Sequence, residues 1–288
     1  MSPAPLETGS QLTDRDFRSI AELIETEVGI KLPQSKRLML EGRLLKRVRA
    51  LDCLNLKAYI DCLFDHKNFE TELVHLIDCV TTNKTDFFRE PSHFDFMRDV
   101  AVPESLNRRN HGSRRLKIWS AACSTGMEAY TIAMVLDDMI RSGSSFEFRI
   151  LGTDISTSVL TSARKGIYTR DMIAPVPQEM ARRYFLWPRD RSRTEVRVAP
   201  ELRRTTNFKR LNLMDPVYPF DRDVDIIFCR NVLIYFDKPT QHKVVDRLCA
   251  HLRPGGYLVV GHSESMVGSG SKSLKQVQPT IFRNESGS

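Results

Sequence analysis

One acid, Asp154, is the residue of this chain best placed to meet a small ligand. It follows the segment Leu116–Tyr130 (LKIWSAACSTGMEAY), which reads as a buried strand, a turn of small residues and the start of a helix. A second apolar run, Phe148–Gly152, ends in Thr153-Asp154 one strand–helix–strand step later. A carboxylate there is where dinucleotide-type folds accept hydrogen bonds from the two ribose hydroxyls. The turn Ala121–Gly126 has one glycine, not the three of a G-x-G-x-x-G cradle for pyrophosphate, so an adenosyl ligand without phosphates fits better than a dinucleotide. S-adenosylmethionine is such a ligand. A plain βα crossover with nothing bound is the competing reading of this segment alone.

The elements that must position this acid follow from periodicity. A helix over Met127–Ile140 places Ala129, Ile132, Ala133 and Leu136 on one face. A helix near Thr157–Arg164, a strand Val224–Cys229, a helix Pro239–Leu252 and a strand Tyr257–Val260 continue the alternation, with Pro254-Gly255-Gly256 turning into that strand and Thr280–Arg283 as an antiparallel edge. This order predicts an α/β fold, a Rossmann-like, mostly parallel sheet wrapped on both faces. Between about 181 and 211 the segments RYFLW, TEVRV and NFKRL are short and separated by polar turns. They predict a small antiparallel β insertion, read either as a local decoration or as an edge that accepts an extended peptide. Residues 1–90 show helical apolar spacing and no strand alternation, which predicts a small all-α domain. Its first helix is capped by Thr13 or Asp14, carries Phe17, Ile20, Leu23, Ile24 and Val28, and ends at Gly29. Residues 91–115 read as a linker or connecting helix and 116–288 as the second domain.

With 288 residues, 41% of them hydrophobic and 27% charged, the chain can bury two cores. No apolar run approaches the ~20 residues of a membrane span, and the N-terminal residues lack the pattern of a signal peptide, so a cytoplasmic location is expected. The six cysteines form no C-x-x-C pair, which points to reduced thiols and to no metal. The net charge of +7 implies an acidic partner. It is concentrated in Lys31–Ala50, with seven basic residues against Glu41, and in Arg182–Arg210, with ten against three. On a helix, Lys36, Arg43 and Arg47 share a face, with Lys46 beside them, while Leu38, Leu45 and Val48 form the apolar one.

Taken in order, SAACSTGMEAY, GTDIS, NLMDP and FCRNVLIYFD, with TTNKTDFFRE at 81–90, resemble the CheR family of chemotaxis-receptor glutamate O-methyltransferases. The resemblance runs from the N-terminal helices to the last strand. It implies a Rossmann-like S-adenosylmethionine-dependent methyltransferase domain preceded by the all-α domain, with S-adenosylhomocysteine as product. For cofactor binding it implies Asn83, Thr85 and Arg89 (Arg89 on the methionine carboxylate), Glu128 on the ammonium, Asp154 on the ribose, Asn212 and Leu213 beside the adenine, and Arg230 and Asn231 at the methionine portion. Tyr235 and Arg98 are the candidates for orienting the substrate carboxylate. Met127 departs from the pattern, which has a second acid before Glu128.

The resemblance further implies that Lys36, Arg43, Lys46 and Arg47 face an acidic receptor helix, and that Arg193 and Arg197 of the insertion hold the receptor's C-terminal tail. The enzyme is then a monomer that meets the membrane only through its receptor. An RNA methyltransferase is the main rival, since a basic surface is its footprint. The basic clusters, however, lack the interleaved aromatics on which single-stranded RNA stacks, so no nucleic acid is expected. A binding module that senses S-adenosylmethionine without catalysis is the third reading.

Overall fold

The structure is a computed structural model and describes residues 11–65, 69–108, 114–190, 192–264 and 273–286. The chain divides into two units. The first runs to Thr82 and takes in Tyr235–Asp237; the second comprises Asn83–Ile234 and the chain from Lys238 onward.

The first unit is helical: α1 (Asp14–Val28), α2 (Arg37–Ala50), α3 (Leu56–Leu63) and α4 (Phe69–Val80). Thr13 caps α1 by accepting from the Asp16 amide, and Gly29, at φ +72°, closes it in the left-handed conformation that glycine adopts at no steric cost. Asn55 caps α3 in the same manner as Thr13. The core gathers Phe17, Ile20 and Ile24 of α1, Leu40, Leu44 and Val48 of α2, Tyr59 and Leu63 of α3 and Leu76 of α4. The expected apolar face of α2 is corrected here. Leu38 is 77% exposed and the buried stripe is Leu40, Leu44 and Val48.

The basic face of α2 differs as well. Arg43 donates to the carbonyls of Cys79, Val80 and Thr81 at 3.0–3.1 Å, capping the C-terminal end of α4, whose last carbonyls have no helical partner. Arg47 forms a bidentate pair with buried Glu72 at 2.8 and 2.9 Å. Both arginines are therefore structural ties inside the unit rather than free charges. Lys36 lies over the Tyr235 ring, 5.8 Å from its centroid, and Lys46 is exposed.

The second unit opens with α5 (Ser92–Phe96), a π-helical turn over Met97–Ala101 and α6 (Val102–Asn107). Phe94, Met97 and Val102 sit in the core of this unit, so of the two expectations for 91–115 the described residues fit the helix, packed into the sheet unit. Pro103 is the second residue of α6 and follows the π-helical turn without a break. Then follow β1 (Arg115–Ala121), α7 (Met127–Arg141), β2 (Glu147–Asp154), α8 (Thr157–Lys165), β3 (Ile167–Thr169), α9 (Gln178–Tyr184), β4 (Phe185–Leu186), β5 (Glu195–Val198), α10 (Pro200–Thr205), β6 (Thr206–Arg210), β7 (Val224–Cys229), α11 (Lys238–Cys249), β8 (Leu252–Val260), β9 (Leu274–Gln278) and β10 (Ile281–Asn284).

The main sheet has the order β6-β2-β1-β7-β8-β10-β9. Its first five strands are parallel, and β10 is antiparallel to both β8 and β9. The Thr280–Arg283 strand thus lies inside the sheet, with β9 as the outer edge. Strand order reverses between β1 and β7, and Ala121 at the end of β1 is in register with both Thr153 and Cys229. The carboxyl ends of three strands therefore line up at a switch point, where open α/β sheets bind their ligands.

The small sheet has the order β3-β5-β4 and is antiparallel. Its third strand is Ile167–Thr169, not NFKRL. Phe208 of NFKRL is buried and pairs in parallel with Gly152, so β6 is the edge of the main sheet. A short aromatic strand has the same sequence signature in either setting. TEVRV is the central strand, so its backbone offers no free edge for a peptide.

Candidate active site

At the switch point the backbone is bent into rarely populated conformations. Ala122, Ser124 and Gly126 of the β1–α7 turn, Phe88 and Glu90 before α5, and Asn231 after β7 all have φ between +51° and +87°. Non-glycine residues in this region cost of order 1–3 kcal/mol each and persist where surrounding contacts impose them.

Those contacts come from carboxylates. Asp154 accepts from the Ser124 amide at 2.8 Å and from the Ser156 amide at 3.0 Å. It fixes the turn while sitting at the end of β2, 8% exposed. The Ser124 hydroxyl donates to the Asn83 carbonyl at 2.8 Å, tying the segment before α5 to the same turn. Beyond β8, buried Glu264 accepts from four amides: Asn231 at 2.9 Å, Val232 at 2.8 Å, Leu233 at 2.7 Å and Gly261 at 2.5 Å. Burial pushes its carboxyl up from the ordinary value, and the four amides oppose that shift. Gly261 is required here, because a Cβ would lie 2.5 Å from the Asn231 side-chain nitrogen.

Between these loops lies a charge cluster. Arg230 pairs with Glu128 at 3.0 Å and with Glu90 at 3.0 Å, donates to the Arg89 carbonyl, and stacks over Phe94 with 5.4 Å to the ring centroid. Glu128 also accepts from the Ser120 hydroxyl at 2.7 Å, and Glu90 from the Asn231 amide group at 3.2 Å. Burial raises the Glu128 carboxyl, opposed by Arg230 and Ser120. At Glu90 burial acts in the same direction but is outweighed by Arg230 and by hydrogen bonds from Arg230, Asn231 and the His262 amide, so that carboxyl is held low.

One guanidinium between two carboxylates leaves one negative charge. That residue of charge suits a cationic ligand, and it fits the donor and acceptor set of S-adenosylmethionine: ammonium, sulfonium and two ribose hydroxyls. The Thr125 hydroxyl, buried in the turn and without a partner among the described residues, is a further polar atom at this turn.

The same cluster bears on metals. Ligand atoms of Glu90, His93 and His262 lie within 4.8 Å of one another. Burial, and then the charge of Arg230, lowers His93 to about 4, so its imidazole is neutral. Cys123 and Cys229 are fully buried and burial pushes both thiols up, which makes them packing residues.

Of the candidates named from the sequence, Glu128 lies at the start of α7, Asp154 at the end of β2, and Arg230 and Asn231 just after β7. Other candidates are engaged elsewhere. Arg98 is bound by Asp99 at 2.7 Å and Asp95 at 3.1 Å on an exposed face of its helix, so its expected part in drawing in a substrate carboxylate is not supported by its contacts. Arg89 donates to the Lys84 carbonyl. The Asn212 side chain accepts from the Met214 amide and shapes its own turn, with Leu213 buried behind it. Thr85 is half-buried in the segment before α5. Arg193 lies in a turn closed by the Asp190 carbonyl, and Arg197 donates to the Lys165 carbonyl at 3.1 Å. Met127 is buried in the core. Glu90 and Glu264 were missed. Glu90 adjoins Arg89 in the TTNKTDFFRE segment, whereas a carboxylate that only gathers backbone amides leaves no spacing signal.

A family described as the CheR methyltransferase SAM binding domain matches residues 83–282, and the CheR methyltransferase all-alpha domain matches residues 15–81. The chain belongs to the CheR methyltransferase family. Similar relatives are the chemotaxis protein methyltransferase of Borreliella burgdorferi, 36% identical over 274 residues that cover 94% of this chain and 95% of the relative, and that of Escherichia coli, 38% identical over 254 residues covering 88% and 85%. Chemotaxis protein methyltransferase 2 of Pseudomonas aeruginosa is 37% identical over 272 residues, covering 94% and 93%. The boundary between the two family matches agrees with the break after Thr82 in the fold. In CheR terms, the SAM binding domain includes the segment before α5, which the sequence had assigned to the helical domain and a linker. Among the described residues no helix is long and apolar enough to cross a membrane.

Proposed function

We propose that this CheR-family protein transfers a methyl group from S-adenosylmethionine to glutamate side chains in the cytoplasmic helical region of chemotaxis receptors, forming glutamyl methyl esters. The observation that carries the reading is the Glu90–Arg230–Glu128 cluster beside Asp154, a buried site with one unmatched negative charge in a CheR SAM binding domain. When bound, the cofactor supplies an electrophilic methyl group on a positively charged sulfur.

The chain's own residues bind and orient. Asp154, at the end of β2, is the carboxylate assigned to the ribose hydroxyls, Glu128 and Glu90 offer the charge for the ammonium, and Glu264 holds the loop that carries Asn231. Asn83, Thr85, Arg89, Asn212 and Leu213 are retained as candidate wall residues. A glutamate carboxylate is already ionised at neutral pH, so no general base is demanded. Positioning can then supply most of the acceleration, on the order of 7–11 kcal/mol for well-oriented partners. Tyr235 remains the candidate for orienting the substrate carboxylate.

For substrate capture, Lys36 and Lys46 are the basic residues of α2 to test, since Arg43 and Arg47 hold the helical unit together. The receptor's C-terminal tail is assigned to the small sheet, with Arg193 and Arg197 near it; an extended peptide would add at β3 or β4, the outer strands. The enzyme is taken to act as a cytoplasmic monomer, reaching the membrane through the receptor. Incubation with methyl-labelled S-adenosylmethionine, receptor-bearing membranes and total RNA tests this reading. Base-labile label in the receptor supports it, label in RNA favours the nucleic-acid rival, and cofactor binding without transfer favours a sensing module.

A further inference from the structure

Parallel sheets are normally covered by helices on both faces. Here the chain passes from β6 to β7 through residues 211–223 without a helix. One face of β6, β2 and β1 is left as an open groove of about 830 Å³, within the range of small-molecule sites.

Its charge is lopsided. Lys117 and Arg149 are direct register partners on neighbouring parallel strands, a like-charge pairing that destabilises a sheet. Lys117 is neutralised by Asp221 at 2.8 Å and Asp223 at 2.7 Å, and Arg115 by Glu147. Arg149, Arg204 and Lys209, which line the same groove, form no ion pair among the described residues. Lys209 lies over the Phe220 ring at 5.5 Å.

The arrangement has a polarity. Ile150 is in register with Thr206, so Arg149 and Arg204, which precede them in the chain, mark one end, while Lys209 pairs with Thr153 at the other. Four residues of strand separate the two rows, roughly 13 Å. Half-buried Leu151 and Phe220 lie along the groove with them. Two guanidinium groups at one end suit bidentate phosphate recognition, and an apolar stretch beyond them suits a flat ring.

We propose that this groove binds a nucleoside phosphate, with its phosphates on Arg149 and Arg204 and its base against Leu151, beside the Lys209–Phe220 pair. The site is separate from the ends of β1, β2 and β7 and does not rest on the methyl-transfer reading. The test is calorimetric titration of ATP into the full-length protein saturated with S-adenosylhomocysteine. Saturable binding is expected, weakened by added salt and by at least about tenfold in Arg149→Glu with Arg204→Glu, the loss of one or more charge-assisted contacts. Both side chains are exposed, and thermal melting checks that the variant folds. Asp154→Ala should leave ATP binding unchanged, which separates this groove from the cofactor site. The proposal is overturned if ATP gives no saturable heat at millimolar concentration, or if the folded double variant binds as wild type does. It is equally overturned if an oligoglutamate peptide or a single-stranded oligonucleotide binds in place of ATP.

Discussion

Asp154 has two duties at the residue scale, since it shapes the β1–α7 turn through two amides and presents the acceptors expected for a ribose. Asp154→Ala should lower affinity for S-adenosylhomocysteine ten- to a hundredfold, about 1–3 kcal/mol, by calorimetry. An unchanged affinity in the folded variant would remove Asp154 from the site. Glu264→Gln keeps the shape but turns an amide group toward backbone donors, leaving at least one pair of N–H groups unmatched. A stability loss of about 1–3 kcal/mol is expected, read as a lower melting temperature, together with weaker cofactor binding because Asn231 is no longer held.

Glu128 sets a pH dependence. Its carboxyl is raised by burial, so acidification protonates it early and removes the site's unmatched negative charge. Affinity for S-adenosylhomocysteine, which carries the ammonium, should fall as pH drops through that raised value. Binding in that range should release protons, because a bound cation favours the ionised carboxylate. Calorimetry in buffers of different ionisation heat reads the release. For stability the sense is reversed. The folded chain holds this proton more tightly than the unfolded one, so the contribution is full below the unfolded carboxyl value and is lost as pH rises through the folded one.

Among the elements, α2 shows why a charge pattern misleads. Arg47→Ala would leave Glu72, 3% exposed, as a buried charge without its bidentate partner. Breaking such a pair costs about 3–5 kcal/mol, so the melting transition of the helical unit should fall by several degrees. Lys46→Glu, on an exposed side chain, should leave melting unchanged and weaken receptor capture most at low salt. Whether an arginine is free depends on a glutamate of another helix and on carbonyls at a helix end, neither of which appears in local spacing. The strand–turn–helix around Gly126, the acid ending β2 and the alternating βα order were legible because each obeys a local rule. NFKRL was misplaced because a short strand does not declare its partner, and β3 was missed because three residues carry no period.

For the molecule as a whole, the two units separate labour: helices with basic surface residues in one, and a sheet whose strand ends converge on buried carboxylates in the other. The open, basic face of β6, β2 and β1 adds a second surface to the sheet unit, and its occupant is testable independently. The central claim is the chemistry itself. Receptor-bearing membranes incubated with this protein and methyl-labelled S-adenosylmethionine should acquire label that mild base releases as methanol, and a receptor with its methyl-accepting glutamates changed to alanine should acquire none. Label that resists base, or that appears in RNA and not in the receptor, would contradict the account.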